Sequence, residues 1–300
     1  MTKLEKKNLL YKGKNVAVFL QTDIHSGKKA IVKKLKINSS NSKALLRLNN
    51  EFEVLKKLNI EGVRNVIRLE KDETAYFLWL EFVEGITLAE FIEQPTLALD
   101  RWLNIGISIV KIIAQIHWHK IIHGNIHPEN IIIDPENNQV TIIGFGIAEQ
   151  INLHSANHLN LDHLESNIAY ISPEQTGRMN RVIDYRTDFY SFGVLFFKML
   201  TGKLPYLGQD TISWVHAHIA KQPDFPTYLN SQFKAILSKL LAKNAEHRYQ
   251  SAFGLEEDLK RCLLDFQANG NIQTFTLGQN DVRSVFQITQ KIYGRKVELA

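Results

Sequence analysis

The stretch IIHGNIHPENIII, residues 121–133, sets His123, Asn125, His127, Glu129 and Asn130 between two runs of isoleucine. The second run, Ile131-Ile132-Ile133, and the later Val140-Thr141-Ile142-Ile143 are β-branched. They flank an Asp-Pro-Glu-Asn-Asn turn and predict a pair of short strands. Residues 123–130 are therefore a polar loop anchored by a strand, the kind of segment that carries chemistry when a scaffold fixes it. Its central polar position is an amide. Asn125 can donate or accept a hydrogen bond but cannot take up a proton at neutral pH.

Around this loop the chain is that of an ordinary soluble protein. Its 300 residues suffice for two domains or one large two-lobed unit. Apolar residues make up 44% and charged residues 22%, enough for a sizeable core without staples. The formal charge is +5, with much of the lysine early, from Lys3 to Lys36. Those lysines are not interleaved with stacking aromatics, so a solvated face is expected rather than a nucleic-acid surface. Cys262 stands alone, which excludes an internal disulfide framework and suits a reducing, cytoplasmic compartment. The N-terminus is too charged for a secretory segment, and the apolar runs 102–116 and 189–200 are short. They predict buried helices and no membrane insertion.

Residues 10–36 are strand-like around a turn at His25-Ser26-Gly27-Lys28. Residues 43–58 place Leu45, Leu48, Phe52, Leu55 and Leu58 on one helical stripe. Two strands are expected near 63–70 and 74–82, and Glu84-Gly85 is a candidate hinge. Helices follow at 100–118, at 187–200, which is apolar nearly all round, and near 211–220, 231–243 and 252–267. From Asn269-Gly270-Asn271 onward the chain is a linker or a docked tail.

In this order, AIVK ending at Lys33, then Glu51, HPENIII with Asn130, Ser172-Pro173-Glu174, DFYSFG with Asp188 and EHRYQS with Arg248 resemble the protein kinase family over residues 8–268. The resemblance implies an α+β, bilobal fold. A small antiparallel-sheet N-lobe with one helix would span 1–84, a larger helical C-lobe 85–268, and a tail or linker 269–300. A narrower resemblance is carried by AYISPEQTGRMNRVIDYRTDFYSFG (169–193) and FTLGQNDVRSVFQITQKIYGR (275–295). Both are similar to the N-terminal kinase-like domain of large bacterial multidomain signalling proteins. This implies protein partners in signalling, among them an NTPase and sensor histidine kinase module that would follow the IYGR run.

The family resemblance also assigns roles. Lys33 would grip the α- and β-phosphates and Glu51 would position it. Glu51 adjoins the apolar stripe of its helix, where an unpartnered carboxylate is costly, so a Lys33–Glu51 pair is expected. Val18, Ile31 and Ile132 would enclose an adenine, with the Glu81 and Val83 backbone at the hinge and Leu80 guarding the rear. His123, Phe145, Leu55 and Leu69 would stack in a column between the lobes. Glu174 and Arg248 would form a buried pair, and Asp188 would hold the loop backbone.

The chemistry departs from the family's pattern at each requirement of phosphoryl transfer. Of the glycine loop only Gly13 persists, with Tyr11 and Val16 at the other glycine positions, so a plain hairpin is expected. Asn125 stands at the catalytic aspartate and His127 at the loop lysine. Gly124 replaces the arginine that reads an activation-loop phosphate. Gly144-Phe145-Gly146 replaces D-F-G, which leaves Asn130 as the one family metal ligand. A hard cation wants several oxygen ligands, so Mg²⁺ is not expected and ATP would bind weakly, without metal. His154, His158 and His163 with Asp162 could form a zinc site, but their spacing is loose and a solvated loop is expected. His117 and His119 would face different sides of their helix. The expectation is a pseudokinase acting as a binding or regulatory module. The alternative is an active serine/threonine kinase with atypical residues.

Overall fold

The computed structural model describes residues 8–13, 15–37, 42–94, 98–150, 168–179 and 181–282. The histidines between 154 and 163, Asp162 and the IYGR run lie outside the described residues. The chain forms an α+β, two-lobed kinase-type fold.

The N-terminal sheet is built from β1 (Leu9–Lys12), β2 (Val16–Thr22), β3 (Lys29–Lys36), β4 (Val66–Lys71) and β5 (Ala75–Glu81). Its order is β1-β2-β3-β5-β4, and every pairing is antiparallel. The register sets Ile31 opposite Leu80 and Val18 opposite Lys33. β-Branched and aromatic residues suit such a half-buried pleated surface. The helix α1 (Ser42–Lys57) buries Leu48, Glu51, Val54 and Leu55 on the face its spacing predicts.

The strand expected from residue 63 begins only at Val66. Gly62 takes φ +82°, and Val63 makes an isolated parallel bridge to Ile142 instead of joining the sheet. Ile142 donates to the Gly62 carbonyl at 2.7 Å and accepts from the Arg64 amide at 3.2 Å. This loop of the small lobe is thus bonded directly to the large one, at a point separate from the covalent connection through Glu84-Gly85.

After that connection come β6 (Ile86–Thr87), α2 (Leu88–Ile92) and α3 (Leu99–Trp118), then β7 (Ile121–Ile122), β8 (Ile131–Ile133), β9 (Val140–Ile142) and β10 (Glu149–Gln150). Thr87 and Glu90 close a capping box on α2. β6, β8 and β9 form one small sheet, and β7 pairs with β10. The remaining helices are α4 (Arg186–Thr201), α5 (Thr211–Ala220), α6 (Ser231–Leu240) and α7 (Ala252–Asn269). Every residue of α4 from Thr187 to Phe197 is buried, as expected of a helix apolar on all sides. α6 stops three residues before its expected end. Beyond Leu241 the chain turns so that Lys243 reaches Tyr206 Oη at 3.0 Å and the Ala217 carbonyl at 3.3 Å. No helix among the described residues is long and apolar enough to cross a membrane.

Residues 271–282 pack along α6 and α7. Gln232 and Phe275 exchange two bonds, Gln232 Nε2 to the Phe275 carbonyl at 3.2 Å and the Phe275 amide to Gln232 Oε1 at 3.1 Å. Ile272 is buried and Arg261 lies over the Phe275 ring.

His218 is wholly buried in α5. Its Nε2 donates to the Ile168 carbonyl at 2.9 Å, and Tyr190 Oη lies 3.0 Å from its Nδ1. Burial, which outweighs that carbonyl, pulls its pKa from 6.5 down to about 4. The folded state therefore refuses a proton that the unfolded chain accepts below pH 6.5. Stability is held above pH 6.5 and falls as the pH drops toward 4. The loss from this one group should be on the order of a few kcal/mol. Urea unfolding between pH 7.5 and 4 is the check, and a His218→Gln variant should lose less stability across that window.

Candidate functional site

The loop of residues 123–130 is held from below by Asp188 at the start of α4. Its Oδ2 accepts the His123 amide at 2.9 Å and its Oδ1 the Gly124 amide at 2.8 Å. His117 Nε2 of α3 lies 2.8 Å from the same Oδ2. Burial pushes this carboxylate up, but the bond and charge of His117 and the loop amides outweigh it, and its pKa lies below the ordinary value. His119, two residues on, instead turns to the Gln115 carbonyl at 2.9 Å.

His123 is fully buried, with its ring 4.6 Å from Phe145. Its Nε2 reaches the Ile143 carbonyl at 3.0 Å, and its Nδ1 accepts the Asn125 amide at 3.1 Å. Those partners demand a neutral ring, and burial lowers its pKa accordingly. Leu55 and Leu69 belong to the same contiguous apolar cluster as Phe145. Gly124, with φ +69°, occupies the left-handed region. Its carbonyl accepts Gln175 Nε2 at 2.7 Å, so an amide from the 172–176 segment meets the loop at the residue where the family has an arginine.

His127 is 3% exposed and is tilted against Tyr170, with 6.1 Å between ring centroids. Burial, aided by His123, pulls its pKa to about 3. It is neutral at physiological pH and brings no charge to the position where the family has a lysine.

Lys33 Nζ sits 2.7 Å from both Glu51 carboxylate oxygens, with Glu51 buried. The neighbouring Asn50 faces the next segment. Its amide nitrogen lies 3.4, 3.2 and 2.8 Å from the carbonyls of Phe145, Gly146 and Ala148. α1 is thereby tied to the Gly144-Phe145-Gly146 turn by an uncharged clamp. Asn50→Ala should cost about 1–2 kcal/mol in urea unfolding and speed amide exchange around residues 145–148 more than elsewhere.

The residues expected beside an adenine lie as follows. Leu80 is fully buried and Ile31 nearly so, Val18 packs against the same core, and Ile132 is 8% exposed. The Glu81 amide is committed to the Asn65 carbonyl at 3.0 Å. At the loop between β1 and β2, the Gly13 amide donates to the Val16 carbonyl at 2.9 Å, closing a tight hairpin, and Tyr11 is exposed. That amide is engaged within its own turn rather than facing a phosphate.

The structure brings Asn130 and Gly144 together. Gly144 takes φ +86°, and a Cβ there would collide with the Asn130 side-chain amide. Asn130 Nδ2 in turn donates to the Asn125 carbonyl at 3.0 Å. At the family's metal position Asn130 thus offers a neutral amide and Gly144 no side chain. Among the described residues no group of three or more histidine, cysteine, aspartate or glutamate side chains could hold a metal. This donor set does not fit a hard dication that wants charged oxygens in octahedral array.

Glu174 and Arg248 are paired twice, at 2.7 and 2.8 Å, and Arg248 is 1% exposed. Burial pushes Glu174 up, and the Arg248 bonds and charge outweigh it, so its pKa lies below the ordinary value. Glu174 Oε1 also accepts Thr187 Oγ1 at 2.8 Å.

His117, Asn50 and Gln175 escaped the sequence reading as partners of these groups. Gln175 directly follows the Ser-Pro-Glu triplet and Asn50 directly precedes Glu51, so adjacency to a motif was the available signal. His117 offered only one of two histidines at the end of an apolar helix.

Comparison with known proteins agrees with this geometry. A family model described as the protein kinase domain matches residues 4–258. Serine/threonine-protein kinase PrkC of Bacillus subtilis is 29% identical over 271 residues, covering 88% of this chain and 41% of the relative. Serine/threonine-protein kinase PknB of Mycolicibacterium smegmatis is 28% identical over 254 residues, covering 81% of this chain and 40% of the relative. Hybrid signal transduction histidine kinase G of Dictyostelium discoideum is 38% identical over 154 residues, 43% of this chain and 4% of its own length. The chain spans about two-fifths of the length of the two bacterial kinases. A family model covering most of the chain, on a fold that pairs Lys33 with Glu51 and Glu174 with Arg248, identifies the chain as a member of the protein kinase family.

Proposed function

We propose that this kinase-fold signalling domain is a pseudokinase: a recognition or regulatory module in which phosphoryl transfer has been lost. The observation that carries the proposal is the pairing of Gly144 with Asn130. Where a carboxylate would hold the cation, there is a glycine whose missing side chain leaves room for an amide bonded to Asn125. Asn125 cannot act as a base, and His127 is neutral. Each departure touches a separate requirement of one reaction. Lys33, Glu51 and the adenine-side residues leave a place for weak ATP binding that does not depend on Mg²⁺. The partial match to a protein named a hybrid signal transduction histidine kinase supports a histidine kinase of signalling as a partner; an accompanying NTPase module rests on the resemblance carried by residues 275–295.

The second reading, an active serine/threonine kinase with atypical residues, is favoured by the intact Lys33–Glu51 pair and by the names of the bacterial relatives. One experiment separates them. The purified chain is given ATP labelled at the γ-phosphate and a generic acceptor protein, and its melting temperature is followed with ATP, with and without Mg²⁺. The proposal expects no transfer above background and a thermal shift that is small and indifferent to Mg²⁺. Turnover that requires Mg²⁺ would establish the second reading instead.

A further inference from the structure

We propose that residues 271–282 act as a strap whose last buried carboxylate, Asp281, governs the order of the catalytic loop from the far side of the C-lobe. The proposal is independent of whether the pocket turns over nucleotide.

The strap is tied by more than apolar packing. Asp281 Oδ1 accepts the Ser251 amide at 2.8 Å and Ser251 Oγ at 2.9 Å, both its oxygens lie 3.0 Å from the Gln250 amide, and Lys239 Nζ is 3.2 Å from Oδ2. Its side chain is 5% exposed. A buried carboxylate satisfied by backbone amides fixes those amides in place. Here the amides belong to the turn that leads into α7, and Ser251 caps that helix through the Gly254 amide at 3.0 Å. A second tie is made at Asp258, whose Oδ2 accepts the Gly278 amide at 2.8 Å and Tyr249 Oη at 2.7 Å.

The turn so held contains Arg248, two residues before Gln250. Arg248 grips Glu174, and Gln175, the next residue, reaches the Gly124 carbonyl at 2.7 Å. The Ser172 amide donates to Gln175 Oε1 at 2.9 Å, which fixes the direction of that side chain. A short path of hydrogen bonds, joined by the backbone from 248 to 250 and from 174 to 175, therefore runs from Asp281 to the loop containing Asn125 and His127. These contacts fix which links must be broken to measure the coupling.

The test is amide hydrogen exchange on the full chain and its variants. Asp281→Ala should speed exchange roughly tenfold in residues 121–127 and 168–176 while leaving 75–81 in the small lobe unchanged, as expected when buried donors lose their acceptor. Gln175→Leu removes the final link. In that background Asp281→Ala should still loosen 168–176 but add nothing at 121–127. Asp281→Asn retains an acceptor oxygen and loses the charge facing Lys239. It should give the same pattern at smaller amplitude, and it serves if the alanine variant does not fold. Changes confined to 248–256 and 271–282 would overturn the proposal, as would a uniform rise across the chain or an undiminished effect at 121–127 in the Gln175→Leu background.

Discussion

An Asn125→Asp/Gly144→Asp double variant should acquire Mg²⁺-dependent transfer of the γ-phosphate at least about a hundredfold above the natural chain. Each single variant should stay at background. Asn125→Asp alone supplies a group able to accept a proton, but no cation would be held over the phosphates. Gly144→Asp alone supplies the oxygen ligand without a base. The combination restores two requirements at once, and Lys33 with Glu51 already stands in place. The substitution at 144 has its own penalty. A side chain at φ +86° costs about 1–2 kcal/mol, and the Asn130 amide must rotate away from the Asn125 carbonyl to admit it. The double variant should therefore be slightly less stable without ligand and gain a Mg²⁺-dependent thermal shift with ATP. The neutral His127 limits the gain, so adding His127→Lys should raise it further. If the double variant is as silent as the natural chain, absent carboxylates are not what prevents transfer. The closed hairpin at Gly13 would then be the next suspect.

Replacing Arg248 by methionine should destabilise the protein by about 3–5 kcal/mol. Glu174 would be left buried, with Thr187 as its remaining side-chain donor. Arg248 also supplies donors to the carbonyls of Ala242, Lys243 and Arg186, which would lose their partners together. The simultaneous change Arg248→Met with Glu174→Gln should recover part of the loss, because no net charge then stays buried. Urea unfolding of the three variants measures both effects. A single-variant loss below about 1 kcal/mol, the value of a surface ion pair, would mean that the pair contributes no more than exposed ones do.

The parts of this protein legible in its sequence are those with a local rule. The Lys33–Glu51 pair was implied by the family resemblance and supported by a carboxylate beside the apolar stripe of α1, where burial without a partner is costly. The burial of α4 followed from a segment apolar nearly all round. The hairpin at Gly13 followed from stiff Val16, and the structure adds the bond that closes it. The late start of β4 did not follow, since Val63 suits a strand as well as a bridge and only its partner Ile142, far along the chain, decides between them. The same holds for the site. Asn50, His117 and Gln175 are ordinary polar residues whose importance comes from carbonyls and carboxylates distant in sequence. Asp281 is similar: nothing in its neighbourhood announces that two backbone amides from residues 250 and 251 will converge on it.

The bonds that join Gly62 and Arg64 to Ile142 have a mechanical corollary. A body fastened to another at one point can swivel in any direction, whereas two separated fastenings leave a single line about which it can turn. Glu84-Gly85 and Ile142 are two such fastenings, and the Asn50 amide on the carbonyls of residues 145–148 is a third. While the third holds, the small lobe is latched; with Asn50 released it should swing like a door on the two remaining pins.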